Sequence, residues 1–366
     1  MPESLVGRPR ETLDTPALVA DLDVMERNIA KMKRTIVDEA GVGWRPHTKA
    51  MKSPVIARKL LDAGATGITC AKLGEAEVMA AGGIDDILIA NQIVGRTKIA
   101  RLVEVRKVAD VMVAVDAVEN VAMLDAAARE AGVRLRVVVE VDVGMGRAGV
   151  QPGEPVVTLA KDIAGRPGLM FAGLFTWESQ ALGVSDPVEK KRTVEEALAR
   201  IEDTARQCRA ADIPVNIVSC GGTGTYWLSA FCPGVTEVEA GGGAWCDVLY
   251  REKLGVDHEY ALTVLATVTS RPTATRIICD AGRKTMSIDA AAPKPIGIPG
   301  VEGVRLSAEH GIVTLTEPAA SPYVGEVIEF VVGYSDTTVF LHDVIYATRD
   351  GVVEAVWELP GRGKLQ

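Results

Sequence analysis

Aromatic residues make up only 4% of this 366-residue chain, and histidine occurs four times, at 47, 258, 310 and 342. Basic residues are in deficit: 40 Lys and Arg stand against 49 Asp and Glu, a net charge of −9. A general affinity for nucleic acid needs a basic face, so that class of partner is excluded. No apolar run approaches the length of a membrane span, and no membrane partner is expected. The opening residues Met1–Arg10 carry no apolar core, so they do not read as a secretory signal. The six cysteines include no C-x-x-C pair and read as reduced thiols, which makes the cytoplasm the expected compartment. What is present is ample core material: 48% of the residues are hydrophobic.

The first two-thirds of the chain alternates strand-like and helix-like segments. Expected strands are Ala17–Leu22, Val42–Arg45, Gly67–Cys70, Ile87–Asn91, Val111–Val115, Leu135–Asp142, Met170–Trp177 and Asn216–Cys220. Several are continuous apolar runs, the pattern of strands covered on both faces. Between them lie amphipathic stretches such as Val24–Val37 and Val188–Ala210. Eight strands with helical crossovers predict an α/β fold of the (β/α)8 TIM-barrel type rather than an open sheet. The first strand also lacks the glycine fingerprint of a dinucleotide-binding sheet. After about Leu254 helical periodicity fades and β-rich segments follow, predicting a C-terminal β domain over 255–366. The barrel is then 1–254, with the first 14 or so residues free to join the β domain. Ala290–Gly303, rich in Pro and Gly, reads as a long mobile loop.

Chemistry concentrates at four places. Pro46 cannot sit in mid-ladder, so the second strand ends there, and Lys49 follows its C-terminal end, where barrels put their reactive groups. A lysine amine there can form a Schiff base with an aldehyde. His47 lies two residues away, on the same face of an extended chain. Gly221-Gly222-Thr223-Gly224-Thr225-Tyr226 follows a late strand; its glycines let backbone N–H groups converge on an anion, and its threonines add hydroxyls. Glu239-Ala240-Gly241-Gly242-Gly243 offers a second such loop, and loops after the last two barrel strands are a common phosphate site. Gly144-Met145-Gly146-Arg147 ends the sixth strand, so that Arg147 can face a ring oxygen or a substrate carboxylate. An early lysine with two late glycine loops describes a pyridoxal phosphate pocket.

The sequence resembles the fold-type III pyridoxal phosphate enzymes related to D-threonine aldolase and D-serine dehydratase. The resemblance rests on Thr15-Pro16-Ala17-Leu18-Val19, Arg45-Pro46-His47-Thr48-Lys49, Cys70-Ala71-Lys72-Leu73-Gly74-Glu75-Ala76, Gly144–Val150 and the glycine loop at 221–226. Asp280–Lys284, Glu309-His310-Gly311 and Leu341-His342-Asp343 extend it to the C-terminal region. It implies that Lys49 carries the cofactor. It also implies that Gly221 to Tyr226, Gly241 and Gly242 hold the phosphate, and that His47, Arg147 and Trp177 lie near the ring. It further implies a homodimer in which the β domain of one chain completes the site of another. Relatives bind a divalent metal (Mn2+, Mg2+ or Zn2+) through His-x-Asp or His-x-Cys shortly before the late His-Asp pair. Here that place reads Tyr334-Ser335-Asp336, leaving Asp336 and His342 as the metal candidates. Two other departures are Met51, where relatives carry a second histidine after the lysine, and Gly242-Gly243, which implies a roomier wall.

The activity this implies is retro-aldol cleavage of a D-3-hydroxy amino acid to glycine and an aldehyde. Tyr334, Glu178 or a metal on Asp336 and His342 would take the proton of the β-hydroxyl. A dehydratase, which loses that hydroxyl as water, and an amino-acid racemase, with bases on both faces, are the enzymatic alternatives. A non-catalytic vitamin B6-binding protein is the alternative of another class.

Overall fold

The computed structural model describes residues 5–366, which form two compact units. One comprises Lys31–Lys49, Pro54–Gly241 and Lys364–Gln366; the other holds the segment up to Ala30, Ala50–Ser53 and Gly242–Gly363. The boundary therefore falls at Gly241/Gly242 and not at 254, and residues well beyond the first 14 belong with the C-terminal part. Residues 1–4 of the opening segment lie outside the described part. No described helix is long and apolar enough to cross a membrane.

The strands in chain order begin with β1 (Ala17–Asp21), β2 (Gly43–Trp44), β3 (Ile68–Cys70), β4 (Asp86–Gln92) and β5 (Asp110–Val115). They continue with β6 (Leu135–Glu140), β7 (Leu169–Phe175), β8 (Ile217–Cys220) and β9 (Glu237–Val238). β2 to β9 make one parallel sheet in the order β2-β9-β8-β7-β6-β5-β4-β3. A parallel bridge between His47 and Thr69 joins its two ends, with Thr48 N–H donating to Thr69 O at 2.8 Å and Thr69 N–H to Pro46 O at 2.9 Å. The eight strands thus close into the expected barrel. The intervening helices include α1 (Leu22–Lys33), α2 (Pro54–Asp62), α3 (Leu73–Ala81), α4 (Arg96–Val108), α5 (Val118–Glu130), α6 (Glu154–Ala164) and α7 (Pro187–Ala210). The start of α7 is set by Asp186, whose carboxylate accepts from Glu189 N–H, and by Pro187 in the first turn.

Membership of the barrel differs from expectation at both ends. β1 is no barrel strand; it pairs antiparallel with β10 and parallel with β16 in the second sheet. Its run Ala17–Ala20 is buried on both faces, and such a run reads alike under helices or within another layer. The eighth barrel strand is β9, hidden in the sequence by its glutamates.

Those glutamates are tolerated because the barrel interior is layered. Arg45, 3% exposed, pairs with Glu237 at 2.8 Å and Asp86 at 3.0 Å, and Arg136 adds Asp110 at 3.3 Å. Above this charged layer Leu88, Met112, Ala114, Val138 and Phe175 pack together. Truncating a residue such as Leu88 to Ala would cost about 2–5 kcal/mol. A second polar layer follows where the strands end, at Gln92, Glu140 and Ser219, and there the candidate chemistry lies.

The other unit is a mostly antiparallel sheet. Its further strands are β10 (Leu262–Thr273), β11 (Arg276–Cys279), β12 (Lys294–Ile296), β13 (Val301–Leu306), β14 (Gly311–Leu315), β15 (Val327–Val331), β16 (Val344–Arg349) and β17 (Val352–Glu358). The order is β13-β14-β11-β10-β1-β16-β17, with β15 bridging β10 and β12. Leu13, Ala17, Val19, Leu265 and Val353 form one core cluster. Asp350 and Gly351, both at positive φ, make the tight turn between β16 and β17. The stretch expected to be a loop at Ala290–Gly303 carries β12 and the start of β13. Pro295 sits in β12, whose one ladder is with β15; edge strands tolerate proline.

Candidate active site

Within the barrel unit, Lys49 and Arg147 converge on one ring. Lys49 Nζ lies 5.4 Å and Arg147 Cζ 5.5 Å from the Trp177 ring centroid. Pro46 and the β2–β3 bridge end the strand, and Lys49 N–H then donates to His47 Nδ1 at 3.3 Å. His47 thereby braces the turn that projects the lysine. The motif Cys70–Ala76 shapes the neighbouring loop end: Glu75 Oε2 accepts from Ala71 N–H at 2.7 Å and Lys72 N–H at 3.1 Å, capping α3.

The glycine loop at 221–226 is built around Glu178. This carboxylate is fully buried. It accepts from Gly221 N–H at 3.1 Å, Thr225 Oγ1 at 2.7 Å and Ser229 Oγ at 2.6 Å. Glu178 was a candidate base; enclosed and triply bonded, it is the anchor of the loop instead. Two expected phosphate donors are spent on that anchor, Gly221 N–H and the Thr225 hydroxyl, and Gly222 N–H turns back to Thr225 Oγ1 at 3.3 Å. Tyr226 is buried, and its N–H donates to Gly222 O. Toward Trp177 the loop presents the bare surface of Gly222. A Cβ on Gly222 would stand 3.1 Å from Trp177 Nε1, filling the space between loop and ring. An amine on an aromatic shelf beside a glycine cradle fits pyridoxal phosphate.

The second glycine loop serves the backbone. A Cβ on Gly241 would lie 2.1 Å from His47 O. Trp44 Nε1 donates to Ala240 O at 2.7 Å, and His47 N–H to Glu239 O at 3.0 Å. Gly241 thus lets the two backbone segments pass this closely, which a side chain would prevent.

In the other unit, Gly242 meets Tyr250: a Cβ there would be 2.6 Å from the Tyr250 hydroxyl. The wall expected to be roomier is filled by that ring. Tyr250 packs edge-on against Tyr334, centroids 5.9 Å apart, and the Tyr334 hydroxyl donates to Asp336 Oδ2 at 2.5 Å. Burial first, then the Asp336 charge, push the Tyr334 phenol well above its ordinary value. A phenol so held does not supply a base, which corrects the expectation for Tyr334. Asp247, fully buried, accepts from Ser335 N–H, Ser335 Oγ and Tyr250 N–H, and burial pushes it up to about 7. His342 Nε2 donates to Thr285 O at 2.9 Å, and burial pushes its ring below the ordinary value. Asp336 is thus engaged by a phenol and His342 by a carbonyl. Among the described residues no three His, Cys, Asp or Glu gather as a metal nest. The donor set at Asp336 and His342 does not fit a divalent cation as it stands.

Two polar residues at the barrel mouth escaped the sequence reading. Glu140 ends β6 and Gln92 ends β4; Glu140 accepts from Gln92 Nε2 at 2.5 Å and from Arg147 Nη2 at 3.1 Å. The available signal was a polar residue closing an apolar strand at the catalytic end of a barrel.

Barrel, mouth lysine and glycine cradle together define a fold-type III pyridoxal phosphate scaffold. Residues 20–247 match the alanine racemase N-terminal domain family and residues 261–348 the putative serine dehydratase domain, and the chain belongs to this family. It is 37% identical to D-threonine aldolase of Arthrobacter sp. over 99% of this chain and 96% of that protein. It is 34% identical to 3-hydroxy-D-aspartate aldolase of Paracoccus denitrificans over 99% of this chain and 95% of that protein. The crystal structure of D-threonine aldolase from Filomicrobium marinum superposes with a TM-score of 0.95 at 34% identity, covering 99% of each chain.

Proposed function

We propose that this protein is a pyridoxal phosphate-dependent aldolase that cleaves D-3-hydroxy amino acids to glycine and an aldehyde. The observation that carries the reading is the end-to-end similarity to D-threonine aldolase, together with Lys49 standing over Trp177 at the barrel mouth. When bound, the cofactor supplies an electron sink that makes breaking the Cα–Cβ bond of an amino acid tolerable. The residues that would hold it are Lys49 through its amine, Trp177 as a shelf and the Gly222–Gly224 stretch at the phosphate. His47 keeps the Lys49 turn in place, and Glu178 keeps the cradle in shape. Arg147 holds fixed positive charge beside the shelf, suited to an anionic oxygen.

The test is product analysis after incubation with D-threonine and D-phenylserine. Glycine with the matching aldehyde is expected. A 2-oxo acid would replace this reading with a dehydratase, the L-amino acid with a racemase, and no product with a vitamin B6-binding protein. A chelator-treated sample restored with the cofactor alone should keep its aldehyde release, given the donor set at Asp336 and His342. Borohydride trapping should label Lys49; label on Lys52 or Lys72 instead would overturn the attachment. We further propose a homodimer in the cytoplasm. The six free, buried cysteines agree with a reducing compartment. A light-scattering mass near the monomer's 38.8 kDa with full activity at high dilution would reject the dimer.

A further inference from the structure

Arg147 occupies an awkward place for a residue with a fixed task. It sits on the glycine-rich loop after β6, and its side chain is 45% exposed. Gly144, Gly146 and Gly149 on that loop all have positive φ. Asp142 Oδ1 accepts from Gly144 N–H and Gly146 N–H, which orders the backbone but leaves the guanidinium to find its own support. A half-exposed arginine gains little from an ordinary surface ion pair. It also shares the Trp177 ring with Lys49, and two cations on one ring repel.

The support comes from inside the barrel. Glu140 is 4% exposed, so its carboxylate has few rotamers and no water to lose. Gln92 Nε2 satisfies Oε2, while Oε1 accepts from Arg147. A buried, already bonded carboxylate holds a guanidinium in one place far better than a solvated one. We propose that Gln92 and Glu140 are positioning residues: they fix Arg147 against Trp177 and offset its charge beside Lys49, so that the shelf is shaped before the cofactor arrives. This rests on the reading that pyridoxal phosphate attaches at Lys49.

The test is a double-mutant cycle on the dissociation constant of pyridoxal phosphate, read by absorbance with the full-length protein. Glu140→Gln should weaken binding about tenfold, the size of a charge-assisted hydrogen bond. Arg147→Met should weaken it by about as much, and the double variant no further. Gln92→Met should cost about threefold. Glu140→Gln should also shrink the circular dichroism of the bound cofactor, and Glu140→Asp should restore part of it. Additive losses, or wild-type affinity in Glu140→Gln, would overturn the proposal while leaving the cofactor reading intact. Should Glu140→Gln fail to fold, Gln92→Met against Arg147→Met gives the same cycle. A wild-type protein that takes up no cofactor would instead bring down the reading of Lys49, and this inference with it.

Discussion

The two glycine-rich loops look alike in sequence, and each has a buried glutamate beside it, yet they are built for different ends. At 221–226 the glutamate, Glu178, collects three donors, and Gly222 presents its bare face to Trp177. At 241–243 the glycines face inward: Gly241 against the His47 backbone and Gly242 against the Tyr250 ring. Its glutamate, Glu239, has a hydrogen bond from Ser219 Oγ at 2.8 Å and lies in an acidic neighbourhood. Burial first, then the charges of Glu237 and Glu140, push Glu239 up to about 8, against the hydrogen bond from Ser219 and the charge of Arg45. A glycine in a sequence announces that something comes close; only the fold says whether that something is a ligand or the chain itself.

The contrast can be broken most forcefully at Gly241. Gly241→Ala should destabilise the protein by about 4 kcal/mol or more, because its Cβ would meet a backbone oxygen that cannot yield. Urea unfolding measures this; a loss below about 1 kcal/mol would mean that the His47 backbone can give way and that the close approach at Gly241 is not structural. Gly222→Val should do the opposite. Unfolding should change by only about 1 kcal/mol, while pyridoxal phosphate affinity falls about 100-fold, since the branched side chain enters the space beside Trp177. Unchanged affinity would remove the cradle from this loop. Glu178→Gln should cost about 2 kcal/mol, because an amide turns N–H groups toward three donors that need an acceptor. Rate loss with unaltered stability would revive Glu178 as a base.

The smallest effect is a pH slope. The folded-state value of Glu239 lies above that of the unfolded chain, near 4.3. Its contribution is therefore fully present below about pH 4 and is lost as the pH rises through about 8. Glu239→Gln should flatten the fall in melting temperature between pH 5 and 8.5 relative to wild type. An identical slope in the variant would mean that Glu239 ionises normally.

Much of the barrel was readable because its strands are apolar runs between amphipathic helices: Val111–Val115, expected as a strand, forms as Asp110–Val115. What failed did so for physical reasons. β1 is buried on both faces, and local pattern carries no information about which sheet accepts it. β9 is only Glu237–Val238, a buried glutamate and a valine followed by the buried Glu239, and Arg45 and Ser219, distant in sequence, make these carboxylates tolerable. At the site, Lys49 was singled out by its place after a strand end and Trp177 only through the family resemblance, and the fold brings the two together at 5.4 Å. The roles of Glu178 and Tyr334 were not, because whether a carboxylate or phenol acts or anchors depends on how many donors surround it and how dry they are. Glu140 was overlooked because its partner Gln92 lies 48 residues away.

The placement of β1 has a consequence in time. Val19 aligns with Thr263 of β10 and Tyr346 of β16, and Thr348 Oγ1 reaches Ala20 O across 328 residues of chain. At roughly 5–20 residues per second of synthesis, this apolar strand waits tens of seconds for its second neighbour. Late in that interval every barrel strand and β10 have been made, while one edge of β1 still has no neighbour. A ribosome paused shortly before Val344 would therefore present a barrel ready to fold and a sheet lacking its central strand's partner. Chaperone capture of such a nascent chain should depend on Ala17–Asp21.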